Sequence, residues 1–153
     1  MRKPEFVYVT YIETTPEKLW QALTDGGFTR RYWFGMRLRS DWKVGSSFEM
    51  VHGDDSVSDA GKVVECDPPR RLAYTFINVS DTYKGEVPAL ATFMLEPYGR
   101  LVKLTLTHEG FSEGSKFLNG ISKGWPAILS SLKSILEAGR PLEIPIEALK
   151  MEG

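Results

Sequence analysis

A single cysteine, Cys66, in 153 residues leaves no partner for an intrachain disulfide, so the fold must hold by packing and the chain suits a reducing compartment. Cys66 itself reads as a small buried hydrophobe. Nor is there a surplus of either charge: 19 basic against 20 acidic side chains give a net charge of −1. A dedicated nucleic-acid binder carries a basic excess, and this chain has none. No apolar run reaches the length of a membrane span, and MRKPEFVYVTYIE at the N-terminus has no apolar core of a secretory signal. These absences set the expectation of a cytoplasmic protein without nucleic-acid or membrane partners. Gly-x-Ser-x-Gly is missing, and Gly26, Gly27, Gly35 and Gly45 fit neither a phosphate loop nor a dinucleotide fingerprint. No cofactor motif is present.

What the chain does have is aromatic rings and one long amphipathic segment. Trp125, Ile128, Leu129, Leu132, Ile135 and Leu136 recur at steps of three and four, which puts them on one stripe of a helix from about Ser115 to Ala138. Gly139 and Pro141 supply its stop. Gly120 and Gly124 each cost the helix up to about 1 kcal/mol against alanine, and Pro126 removes an amide donor. An irregular turn near Trp125, or two helices meeting there, is therefore expected. A wide indole beside missing side chains can be a packing kink or the roof of a cavity.

Upstream, Glu5–Glu13 alternates as a first strand, and Thr15-Pro16-Glu17 caps and opens a short helix through Leu19, Trp20 and Leu23. Asp25-Gly26-Gly27 breaks it, and a second short helix is expected over Phe28–Trp33. Strands follow at Met36–Arg39, Ser47–Val51, Val57–Cys66, Arg71–Ile77, Leu90–Glu96 and Leu101–Glu109, with a four-residue loop between the last two. Short connections imply an antiparallel sheet, and its alternating apolar face needs the long helix as cover. Inward positions are Phe48 and Met50, then Leu72, Tyr74 and Phe76, Phe93, and Leu104, Leu106 and His108. The chain reads as one domain over 1–140 with a tail at 141–153.

Four stretches carry a family resemblance: TPEKLWQALTD (15–25), GKVVECDPPRRL (61–72), LTLTHEGF (104–111) and GWPAILSSLK (124–133). In order and spacing they resemble the activator of heat-shock protein 90 ATPase homologue-like branch of the SRPBCC, or START-like and polyketide cyclase-like, superfamily. The resemblance implies an α+β helix-grip fold, in which a curved antiparallel sheet of about six to seven strands wraps the C-terminal helix and leaves a hydrophobic cavity. In that fold the rings read as a cavity wall, with Trp33 and Phe34 at the mouth and Trp125 in the roof. The expected ligand contacts are Trp33, Phe34, Phe48, Met50, Tyr74, Phe76, Phe93, Leu106, His108, Trp125 and Leu129.

For chemistry, His108 ends an inward series and reads either as a polar anchor for a ligand or as a structural histidine. His52 with Asp54 and Asp55 offers three metal donors in a turn without a defined fourth, so a solvated turn is the better reading. Among strand carboxylates Glu49 and Glu109 point outward by alternation, while Glu65 shares its side with Gly61 and Val63 and is the candidate for general acid-base work. Three functional readings follow: a binder of a small hydrophobic molecule, a cyclase or hydrolase using Glu65 or His108, and a chaperone-associated stress-response module or homodimer. The last would use the rim formed by Arg30, Arg31, Arg37 and Arg39, or the tail.

Overall fold

The computed structural model describes residues 5–145. Its elements run β1 (Glu5–Ile12), α1 (Pro16–Thr24), α2 (Gly26–Thr29), β2 (Arg37–Ser40), β3 (Ser47–Val51), β4 (Val57–Asp67), β5 (Arg71–Asn78), β6 (Ala89–Tyr98), β7 (Leu101–Glu109) and α3 (Lys116–Ala138). The seven strands form one sheet in the order β1-β7-β6-β5-β4-β3-β2, antiparallel throughout. The chain is α+β, a curved sheet gripping its last helix. Along β7 the side chains alternate as the sequence pattern requires: Val102, Leu104, Leu106 and His108 are buried and their neighbours are not.

Two irregularities bend the sheet. Register shifts fall between Met50 and Val51 and between Val63 and Glu65, and a bulge of this kind adds local twist and re-aims the side chains after it. Between them, Gly61 lets β4 and β5 approach closely, because a Cβ there would sit 1.7 Å from the Thr75 carbonyl oxygen.

The helices follow their caps. Thr15 Oγ1 accepts from the Lys18 amide at 3.2 Å. Asp25 Oδ1 accepts from the Gly27 amide at 2.8 Å, which starts α2 at the glycines instead of at Phe28. The expected helix over Phe28–Trp33 is therefore displaced: α2 ends at Thr29 and the chain turns on through Gly35. In α3, Ser115 Oγ accepts from the Leu118 amide at 2.9 Å, and Gly139 ends the helix at φ +80° with its N–H on the Ile135 carbonyl. The expected break near Trp125 does not occur, and α3 is continuous through Pro126. Burial of Trp125, Ile128, Leu129, Leu132 and Ile135 along one face outweighs the single backbone bond that proline forgoes.

Cys66 is half-buried against the core's edge instead of lying within it. The start of the tail returns along α3: the Leu142 amide donates to Ser131 Oγ at 2.9 Å, and Ser134 Oγ donates to the Arg140 carbonyl at 2.7 Å. The remainder of the 141–153 tail, from 146 onward, lies outside the described residues.

Candidate functional site

The first half of α3 covers the sheet with little side-chain volume. Phe117, Gly120, Ile121, Gly124 and Ile128 face Met50 of β3, Ser58 and Asp59 of β4, and Phe76 and Asn78 of β5 across a cavity of about 220 Å³. Trp33, Phe34 and Met36 close one side, and Tyr83 borders the cavity from the loop after β5. The glycines make the space. A Cβ on Gly124 would meet nothing within 4 Å, and one on Gly120 would meet only the Tyr83 hydroxyl, at 3.7 Å. Phe34 reaches the wall with φ at +52°, a left-handed conformation that bulky residues seldom adopt and that marks a site where the surroundings hold strain.

Of the eleven ligand contacts expected from sequence, Trp33, Phe34, Met50 and Phe76 border this cavity. Phe48, Tyr74, Phe93, Leu106, His108, Trp125 and Leu129 do not; they form the filled core behind it. Trp125 is fully buried and meets Trp33 at 5.4 Å, Phe93 at 5.7 Å and Phe76 at 6.2 Å between ring centroids, all edge to face. Phe48 stacks on Tyr74 at 3.9 Å. The space thus lies beside Trp125, not under it, because the indole has fallen into contact with its neighbours and only the glycine turns are left without filling.

His108 is held in that core. Its Nδ1 accepts the Trp125 indole N–H at 2.9 Å, which leaves the proton on Nε2. Nε2 is buried without a hydrogen-bond partner of acceptable geometry among the described residues. Burial pushes the imidazole pKa down to about 3, only weakly opposed by the Ala89 carbonyl. His108 is therefore a neutral ring packed on Phe111 and Phe76 at 4.6 and 5.0 Å, away from the cavity wall.

The carboxylates sort differently from the sequence expectation. Glu49 pairs with Arg39 at 2.6 Å and Glu109 is exposed, both outward as alternation required. Glu65 is outward too, paired with Arg71 at 2.7 Å, which corrects its candidacy. The bulge after Val63 flips the parity: Val63 opposes inward Tyr74, whereas Glu65 opposes Ala73 on the outer face. The carboxylate that does reach the cavity is Asp59, 5 % exposed, on the same side as Gly61 and Val63 ahead of the bulge. Counting back by twos from Val63 would have found it. Ser58 Oγ donates to its Oδ1 at 2.6 Å. Burial pushes the Asp59 carboxyl above the usual range, with the Ser58 hydrogen bond and the His52 charge opposing.

Asp54 and Asp55 are committed elsewhere, Asp54 to Ser56 at 2.6 Å and Asp55 to Arg37. Among the described residues no group of three or more His, Cys, Asp or Glu stands close enough to share a metal. No helix among the described residues is long and apolar enough to cross a membrane. A larger groove, about 680 Å³, runs on the surface past Pro16, Arg70, Met94 and Pro97, but Arg70 and Arg71 on its wall are already paired with Asp67 and Glu65. The aromatic cavity with one buried acid is therefore the candidate site.

The sequence model of the family described as Activator of Hsp90 ATPase homolog 1-like protein matches residues 13–137. No curated protein matches the chain. Among solved structures, the Aha1 dimer from Colwellia psychrerythraea superposes with a TM-score of 0.72 at 22% identity, over 89% of this chain and 98% of that one. PFC0360w, an HSP90 activator from Plasmodium falciparum, gives 0.72 at 22% identity over 86% and 95%. CalU16 from Micromonospora echinospora gives 0.72 at 20% identity over 97% and 82%. At these identities the structural likeness speaks to the fold alone.

Proposed function

Because the chain belongs to the Activator of Hsp90 ATPase homolog 1-like family, whose scaffold leaves function to be argued from the site, we propose that it binds a small hydrophobic molecule in the cavity between the sheet and α3. One observation carries this reading. Gly124, half-buried, and Gly120, exposed, leave space along α3 that is walled by Trp33, Phe34, Phe76 and Phe117. Two glycines in a helix interior cost about 1 kcal/mol each, and at Gly124 a larger residue would meet no obstacle. A helix selected for stability alone would have filled the gap.

The test is a substitution that fills it. Gly124→Leu should stabilise the protein and abolish ligand-induced thermal shifts, while the unsubstituted protein shows shifts that grow with the concentration of small aromatic compounds. Equal shifts in both proteins would overturn the reading. The binding domain is taken as residues 1–140, acting in the cytoplasm.

A second reading is favoured by the family and by the apolar outer face. Val7, Val9 and Tyr11 on the edge strand β1 are exposed together with Tyr98, which meets Tyr11 at 5.4 Å. That face would suit a chaperone or a second copy of this chain. The Arg-rich rim is less apt, since Arg37 and Arg39 are tied to Asp55 and Glu49. Sedimentation showing a monomer that Tyr11→Glu leaves unchanged, with no stimulation of Hsp90 ATPase, would remove this second reading.

A further inference from the structure

Resting on the cavity reading, we infer that the molecule it takes carries a basic amine on a small apolar or aromatic body, with the ammonium set against Asp59. Asp59 lies on the wall, 5 % exposed, in line with Met50 and Asn78 across three neighbouring strands. Its carboxyl takes one side-chain hydrogen bond among the described residues, from the Ser58 hydroxyl to Oδ1. Among the described residues it has no ion pair, and no lysine or arginine borders the cavity. A buried carboxylate without a cation is costly, and structures that keep one usually pair it. Here the described residues provide no pair.

The rest of the wall favours the same charge. The ring faces of Trp33, Phe34, Phe76, Tyr83 and Phe117 carry negative quadrupoles, which attract a cation and repel an anion. An ammonium set against Asp59 favours the ionised carboxyl, whereas an acid of the same shape would meet repulsion from that carboxylate and from the wall together. Size narrows the class further. At about 220 Å³, the cavity falls below the roughly 300–1,000 Å³ of sites for drug-sized ligands. One ring system with a short aminoalkyl arm fits that scale.

The experiment measures binding of three isosteric probes at pH 7.5 by calorimetry and thermal shift: tryptamine, its neutral alcohol indole-3-ethanol, and indole-3-acetate. Tryptamine should bind at least tenfold tighter than the alcohol, and the acid should show no binding. Asp59→Asn removes a buried charge and keeps an acceptor for Ser58, so the variant should fold. It should weaken tryptamine at least tenfold and leave the alcohol unchanged. Gly124→Leu should abolish both.

If the alcohol or the acid binds the unsubstituted protein as tightly as the amine, the amine assignment falls while the cavity stands. The same holds if Asp59→Asn keeps the preference. Failure of all three probes at millimolar concentration, or tryptamine binding that survives Gly124→Leu, overturns the cavity and the amine together.

Discussion

The two halves of α3 lie over the same sheet and do opposite things. From Trp125 onward the buried face is dominated by large side chains, and Leu129, Leu132 and Ile135 fill the space down to the strands. Before Trp125 the half-buried Gly124 and the exposed Gly120 border the cavity, and the space stays open. Sheet curvature is common to both, so the difference is one of side-chain volume on a single helix. The filled half packs the core against the strands, and the open half borders the candidate cavity.

That contrast can be broken most sharply by deleting volume in each half. Leu132→Ala, in the filled half, should cost about 3–4 kcal/mol in urea denaturation, since the lost contacts leave a void that the neighbours cannot close. Ile121→Ala, on the cavity wall, should cost less than half of that, because one flank is already unfilled. Equal losses would mean that the open half contributes as much to stability as the filled one.

The next effect is a dependence on pH that comes from the filled half. His108 has a folded-state pKa of about 3, depressed by burial, against about 6.5 for the unfolded chain. Below pH 6.5 the unfolded state takes up a proton that the native state refuses, so stability falls on acidification, by up to about 1.4 kcal/mol per pH unit from this site. His108→Leu should flatten the stability profile between pH 6 and 4, even though it strands the Trp125 indole N–H and costs stability at pH 7. An unchanged slope would contradict a buried neutral imidazole.

The smallest effect sits in the open half and has the opposite sign. Gly124→Ala should raise stability by about 0.5–1 kcal/mol through helix propensity alone, seen as a higher urea midpoint with an unchanged slope. Loss of stability would mean that the backbone there is constrained by something other than space.

Much of this was legible in the residues. Period-two runs placed every strand to within a residue or two, because each has one dry face. The cap residues Thr15, Ser115 and Gly139 fixed the helix ends, because unpaired backbone groups must find local partners. Misreadings came where a specific side-chain contact, the packing of a face or the pairing of strands decided the outcome. The Phe28–Trp33 expectation failed because the Asp25 side chain caught the Gly27 amide first. Pro126 pointed to an irregular turn near Trp125, but burial along that face keeps α3 continuous. Glu65 does not share the side of Gly61 and Val63 as alternation implied, because alternation holds only until a bulge, and the bulge after Val63 is set by the pairing with β5.

The cavity shows the same division. Its aromatic character, its two glycines and the Trp33-Phe34 pair follow from the sequence. Tyr83, Asn78 and Asp59 were not singled out, since two lie at or beyond a strand end and one reads as an ordinary polar strand residue. The sequence by itself determined the element order, the dry face of the sheet and the thinly furnished half of α3, because propensity, periodicity and capping act over a few residues. Only the tertiary structure decided which rings collapsed onto Trp125, which stayed at the rim, and that the acid facing the space is Asp59. Those outcomes depend on distances between strands and helix that no short stretch of chain encodes.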